Sequence, residues 1–287
     1  MSTHFADQGR PHSLFGSIAA ADPEIAVRLV ERQAEIAQGA STSRFTAAGL
    51  GLVAAPLALA ALASDAFGQA RLPAVVVGAL NFALVLEYLE SEFYTTAVIN
   101  PPAGFSIPGS DKTIFSTIQG HEAQHVTYLQ GALGASARPK PTFDFKAGGM
   151  FPNTVFTDYD TFKAVAQAFE DTGVRAYKGQ APSLIPYPDI LTAALTIHSV
   201  EARHASMVRR LRGNFSEAAP NKGWITGVQT DIAGTNGNYV REDNVVQGGV
   251  DVSTLVAGAG VGPASEAFDE PLTMAEVIDL VAPFIAG

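Results

Sequence analysis

Apolar positions recur at helical spacing in four segments, each bounded by residues that start or stop helices. In the first, Ala74 to Val98, the residues Leu80, Leu84, Val85 and Leu89 fall on one helix face. Asn100-Pro101-Pro102 ends it, because proline lacks an amide donor and restrains the residue before it. The second segment runs from Asp111 to Leu133, with Ser110 or Asp111 as its cap and Gly134 as its stop. The third runs from Asp158 to Gly179, and Pro182 is expected to close it. The fourth runs from Asp189 to Arg212; Arg209, Arg210 and Arg212 lie at its negative end, and Gly213 follows.

Between the second and third helices, Ala135 to Thr157 carries Pro139, Pro141, Gly148, Gly149 and Pro152. Each helix is roughly 35 Å long at about 1.5 Å per residue. An extended linker of this size can run back along it at about 3.3 Å per residue. The pattern predicts an all-α fold: two helical hairpins joined by one long crossover, a four-helix bundle over residues 72–213.

The flanks differ. Residues 1–71 form an N-terminal extension in which Asp22-Pro23-Glu24 opens a short amphipathic helix ending near Gln38. Arg44 to Ala63 then carries no charge after its arginine. That run reads as the apolar part of an export signal, as a retained anchor, or as an Ala-rich core helix. Residues 214–287 form a C-terminal extension, Gly-rich and irregular to about Glu270. There Thr273-Met274-Ala275-Glu276 makes a capping box ahead of a short terminal helix with Val277, Ile278, Leu280 and Val281.

Composition narrows the chemistry. The 287 residues hold 18 basic and 28 acidic side chains, a net charge of −10, which disfavours nucleic acid as a partner. There is no cysteine, so disulfide scaffolds, thiolate metal sites and cysteine nucleophiles are excluded.

The chemistry lies in a repeated motif. The second helix contains Glu122-Ala123-Gln124-His125 and the fourth contains Glu201-Ala202-Arg203-His204. Three residues on a helix turn nearly a full circle, so each Glu and its His project from nearly one side. The first and third helices supply Glu87 and Glu170, each inside an apolar stretch and each followed by a tyrosine seven residues on, Tyr94 and Tyr177. Glu90 lies on the same face as Glu87, and the matching tyrosine offset favours Glu87 over it. One Glu from each of two helices and Glu-x-x-His from each of the other two is the donor set of a carboxylate-bridged dimetal centre. Two divalent cations neutralise its four carboxylates, whereas an empty core would hold repelling, desolvated charges. Oxygen and imidazole donors without sulfur suit manganese or iron.

Tyr94 and Tyr177 are either core packing or hydrogen-bond partners of metal ligands. Glu90 and His198 are candidates for a second layer and for a proton donor. His121 is not expected to be a ligand, and Asp171 is expected to be solvated or in a salt bridge.

Around these residues the chain resembles the ferritin-like superfamily, and most of all its desiccation- or stress-associated branch. The resemblance rests on Asn81 to Tyr94, Gly120 to His125, Phe169 to Tyr177, Val200 to His204, and Ala267 to Thr273 in the tail. It covers about residues 72 to 213 and that tail. It implies a ferritin-like bundle binding two manganese or iron ions and acting on a small oxidant, peroxide or dioxygen. Catalase-like or peroxidase activity is the leading expectation, because no dinucleotide fingerprint or Cys-x-x-Cys relay is present to bring electrons. A non-enzymatic metal-binding envelope protein is the alternative, and iron storage is less favoured because the extensions suit a closed cage poorly. The protein is expected to be a homo-oligomer, exported to the periplasm or cell envelope with membrane association through the apolar run; a cytoplasmic location is the alternative.

Overall fold

Four long helices, each started and stopped by its own local chemistry, form the centre of the computed structural model. It describes residues 72–151, 155–213, 222–255 and 260–286. The helix expected from Asp22 to Gln38 and the apolar run Arg44 to Ala63 lie outside the described residues. Helices α1 (Ala74–Val98), α2 (Gly109–Leu133), α3 (Tyr159–Leu184) and α4 (Pro188–Arg212) correspond to the four periodic segments.

The termini show how sequence sets the boundaries. Asp158 caps α3 by accepting from the Thr161 amide at 2.7 Å. At α2 neither Ser110 nor Asp111 is the cap: the helix begins at Gly109 behind Pro108. Asp111 instead accepts from the Tyr159 hydroxyl at 2.7 Å, tying the start of α2 to the start of α3. Gly134 stops α2 at φ 52°, a left-handed value that suits glycine. Pro182 does not close α3, which continues to Leu184. So near the helix end a proline removes one backbone hydrogen bond and leaves little helix beyond it to disrupt.

Helices α1 and α2 pack along each other, as do α3 and α4; α1 also meets α3, and α2 meets α4. Short connections make each pair an antiparallel hairpin, and residues 134–158 make the crossover. The crossover also completes the core. Phe145 and Phe156 meet Phe93 of α1 at ring separations of 5.5 and 5.4 Å, and Phe93 stacks on Phe162 of α3 at 4.8 Å.

The C-terminal extension is more ordered than its glycine content predicts. A hairpin of β1 (Val246–Gln247) and β2 (Val250–Asp251) turns on Gly248 and Gly249, both at positive φ. Two short helices follow, α5 (Val261–Glu266) and α6 (Met274–Val281), the latter opened by the Thr273/Glu276 capping box. The extension is held on α3 by a buried arginine. Arg175 donates to the backbone carbonyls of Glu270 (2.7 Å), Val240 (2.5 Å) and Asn238, and pairs with Glu242 at 2.9 Å. Asp171 is buried beside it, paired with Arg209 of α4 at 2.6 Å and accepting from the Tyr239 hydroxyl at 2.8 Å. The salt-bridge expectation for Asp171 therefore holds, while solvation does not. At Gly179 the backbones approach so closely that a Cβ would lie 1.8 Å from the Leu272 carbonyl oxygen.

Candidate metal centre

The bundle turns one acidic side chain of each helix into the same interior space. Glu87 of α1, Glu122 of α2, Glu170 of α3 and Glu201 of α4 are all fully buried. His125 of α2 and His204 of α4 join them, as the three-residue step from each motif glutamate requires. The donor atoms fall into two groups. Those of Glu87, Glu122, His125 and Glu201 lie within 4.8 Å of one another, and so do those of Glu122, Glu170, Glu201 and His204. Glu122 and Glu201 belong to both groups.

The imidazoles face the shared carboxylates. His125 Nδ1 lies 3.2 Å from Glu87 Oε2, 3.2 Å from Glu122 Oε2 and 3.0 Å from Glu201 Oε1. His204 Nδ1 lies 2.8 Å from Glu122 Oε1, 3.4 Å from Glu170 Oε2 and 3.3 Å from Glu201 Oε2. Despite these short approaches, Glu122 Oε1, Glu170 Oε2 and Glu201 Oε1 have no properly aimed hydrogen-bond donor. Buried carboxylate oxygens without donors are costly unless a cation meets them. The cluster is thus compatible with two metal ions, which would meet these orphaned oxygens.

Two tyrosines brace the cluster across the bundle. Tyr94 of α1 donates to Glu170 Oε1 on α3 at 2.5 Å, and Tyr177 of α3 donates to Glu87 Oε1 on α1 at 2.5 Å. Each tyrosine serves the glutamate of the opposite half, so the repeat read in the sequence becomes a reciprocal exchange.

The remaining candidates separate. Glu90 is buried on the cluster side of α1. His198 donates from Nδ1 to the Val174 carbonyl at 3.0 Å and is thereby engaged by the α3 backbone. His121, set aside on sequence grounds, stacks on His204 with its ring centroid 5.2 Å away, and its Nδ1 meets His204 Nε2 at 2.9 Å. The signal for it was present: His121 precedes His125 by four residues and so shares its helix face.

Burial and mutual charge govern protonation here. Burial raises the carboxyls of Glu122 and Glu90 well above the usual range, and neighbouring glutamates add to it. Burial also pushes Glu170 up to about 7, against the pull of His204. Glu201 moves the other way, to about 2: burial opposes ionisation, but the closely placed imidazoles of His125 and His204 outweigh it. Both imidazoles are raised, since the charge of Glu87 at His125 and of Glu170 at His204, with the hydrogen bonds the imidazoles donate to the surrounding carboxylates, overcomes desolvation. Without metal the cluster stores protons that a cation must displace.

Four buried glutamates and two histidines, contributed by the four antiparallel helices, form a carboxylate-rich site of the kind compatible with dimetal binding. Residues 76–214 match the family described as a ferritin-like domain, which supports the ferritin-like superfamily for the helical bundle. No curated protein matches the chain.

Proposed function

We propose that the cluster holds two manganese or iron ions and disproportionates hydrogen peroxide to water and dioxygen, manganese being slightly favoured. The observation that carries this reading is the membership of Glu122 and Glu201 in both donor groups. Glu122 and Glu201 would be held in common by two ions, with Glu87 and His125 holding one and Glu170 and His204 the other. The bound ions would supply a two-electron couple, enough to exchange electrons with peroxide without releasing radicals. Tyr94 and Tyr177 hold the carboxylates of Glu170 and Glu87 in register through their hydroxyls. His121 orients His204 by engaging its outer nitrogen, leaving Nδ1 for the cluster. Glu90 lies outside both donor groups and is placed to hold and move a proton. Disproportionation fits a chain with no dinucleotide fingerprint and no cysteine relay, because peroxide is both oxidant and reductant.

The resemblance of Asn81 to Tyr94 and of the Ala267 to Thr273 tail to stress-associated proteins supports a protective role, and the Arg44 to Ala63 run supports export to the envelope. Elemental analysis of protein from its own source, followed by oxygen-release and ferrous-oxidation assays on the same sample, tests the reading. About two metal ions per chain with oxygen release from peroxide is the expected outcome. A tightly bound metal with no turnover, after reconstitution with either ion, would favour the non-enzymatic envelope protein; ferrous oxidation with a mineral core would favour storage. Fractionation that finds the full-length chain only in the soluble cytoplasm would overturn export.

A further inference from the structure

Beside the cluster, between α1, α3 and the C-terminal extension, lies a cavity of about 300 Å³ that peroxide does not need. Its walls are mostly apolar, with Leu86 and Leu89 of α1, Val165 and Phe169 of α3, Phe151 of the crossover and Phe284 near the C-terminus, and the exposed Asp279 also contributes. The aromatic walls are fixed against each other, with Phe169 edge-on to Phe284 at 4.9 Å and Phe151 stacked on Phe284 at 5.8 Å. Glycines bring the remaining wall close. Gly234, at φ 81°, lies so near Met150 that a Cβ there would meet its Sδ at 3.0 Å, and a Cβ at Gly237 would meet Leu280 Cδ2 at 3.0 Å.

Among the polar groups of this lining, Asp279 is exposed, whereas Glu90, Thr172 and Asn238 are buried. Asn238 and Thr172 satisfy each other: Asn238 Nδ2 donates to Thr172 Oγ1 at 2.6 Å, and that hydroxyl donates to the Ala168 carbonyl at 2.6 Å. Glu90 is 3% exposed, lines the cavity, and has no hydrogen-bond partner among the described residues. Its carboxylate sits against Gly173, where a Cβ would come within 3.3 Å of Glu90 Oε1. Gly173 therefore makes the room that Glu90 occupies between the cavity and the cluster.

We propose that this cavity binds a small uncharged aromatic alcohol, its ring system between Phe151, Phe169 and Phe284 and its hydroxyl hydrogen-bonded to the Glu90 carboxyl. Size supports an occupant of this class: a dry apolar cavity of roughly 150 Å³ takes a benzene, so twice that volume accommodates a fused two-ring molecule. Polarity supports it too. Hydrogen peroxide gains nothing from apolar walls, and a charged guest would lose its hydration against them. A buried carboxyl without a partner favours a guest whose hydroxyl can hydrogen-bond with it. The proposal concerns binding and does not rest on which oxidant the cluster handles.

The test uses the full chain, first without added metal and again loaded with manganese, titrated calorimetrically with 2-naphthol, naphthalene and 2-naphthoate. The expected result is saturable binding of one 2-naphthol per chain, at least tenfold tighter than either naphthalene or 2-naphthoate. Ala168→Phe, which fills the cavity from α3, abolishes it, while Glu90→Leu removes the preference for naphthol over naphthalene. Helical circular dichroism and manganese uptake verify that each variant is folded; should Ala168→Phe fail that check, Leu280→Phe fills the cavity from α6 instead. Absence of saturable naphthol binding, or undiminished binding in a folded cavity-filled variant, overturns the proposal. Equal affinity for naphthol and naphthalene in the unaltered protein overturns the role given to Glu90. Each outcome is read without turnover, so failure here is distinguishable from failure of the peroxide reading.

Discussion

Tyr177 of α3 donates its hydroxyl to Glu87 Oε1 of α1 at 2.5 Å, reaching from one helical hairpin into the other. Tyr94 returns the contact to Glu170. The hairpins are therefore joined through the cluster as well as through apolar packing. Tyr177→Phe leaves Glu87 Oε1 without its donor at a fully buried site. It is expected to cost about 1–3 kcal/mol of stability by thermal or urea denaturation. It should also weaken metal binding about 10- to 100-fold, as loss of a ligand's hydrogen-bond partner does. Unchanged metal affinity would make Tyr177 a packing residue only.

Glu122→Ala removes a carboxylate common to both donor groups. Metal content is expected to fall well below that of the unaltered protein, and thermal stability of the metal-loaded form to drop, because a ligand bound only by the folded state stabilises it. In metal-free protein the same change costs less, or stabilises, by relieving carboxylate crowding. Equal destabilisation with and without metal would show that Glu122 serves the fold alone.

The metal-free protein has a predictable pH dependence. Glu170 stands at about 7 against an ordinary value of 4.5, and burial raises Glu122 as well. Outside the cluster, burial pushes Glu242 up to about 7 and Asp269 up to about 6. Groups raised in the folded state contribute stability that is complete below their unfolded values and is lost as pH rises through the folded ones. Glu201, depressed to about 2, contributes the opposite dependence, but only below its ordinary 4.5. His121 and His198, lowered by burial, oppose this below about pH 6.5, but the raised carboxyls outnumber them, so the melting temperature of metal-free protein should fall towards about pH 7.5, and bound metal should flatten or reverse that slope by displacing the protons. A melting temperature independent of both pH and metal would contradict it.

Asp171 and Arg209 form a buried, bidentate pair, with separations of 2.9 and 2.6 Å, that also receives the Tyr239 hydroxyl. Asp171→Ala leaves the guanidinium buried and unpaired, an expected loss of about 3–5 kcal/mol. The double change Asp171→Leu with Arg209→Met should recover much of it, since well-packed apolar groups often replace a buried ion pair at little cost. Chemical denaturation of the three proteins measures this, and a double variant as weak as the single one would point to the Tyr239 contact instead.

Gly179→Ala probes the seating of the extension. The added Cβ would overlap the Leu272 carbonyl, so the backbone before α6 must move. Overpacking of this kind costs about 1–3 kcal/mol or more. Proteolysis should then cut the region after Arg241 faster than in the unaltered protein. Unchanged protease resistance would mean that the extension is held mainly through Arg175.

The four helices were legible because each carries its own periodicity and stops. The six cluster residues were legible because the Glu-x-x-His spacing and the Glu-to-Tyr offset occur once in each half. Where a feature depends on one helix turn, as with the Asp158 cap or the Thr273/Glu276 box, local chemistry is enough to find it. Pro182 shows the margin of such rules, since a helix near its end tolerates a residue that would break its middle. The contacts between elements were not available to local reading. That Tyr94 serves Glu170 rather than its own neighbour Glu87, that His121 stacks on His204, that Asp171 is buried against Arg209, and that Glu90 borders a cavity closed by Phe284 all depend on segments far apart in the chain. Periodicity assigns a side chain to a face of its helix; what that face meets is decided when the hairpins and the C-terminal extension pack together.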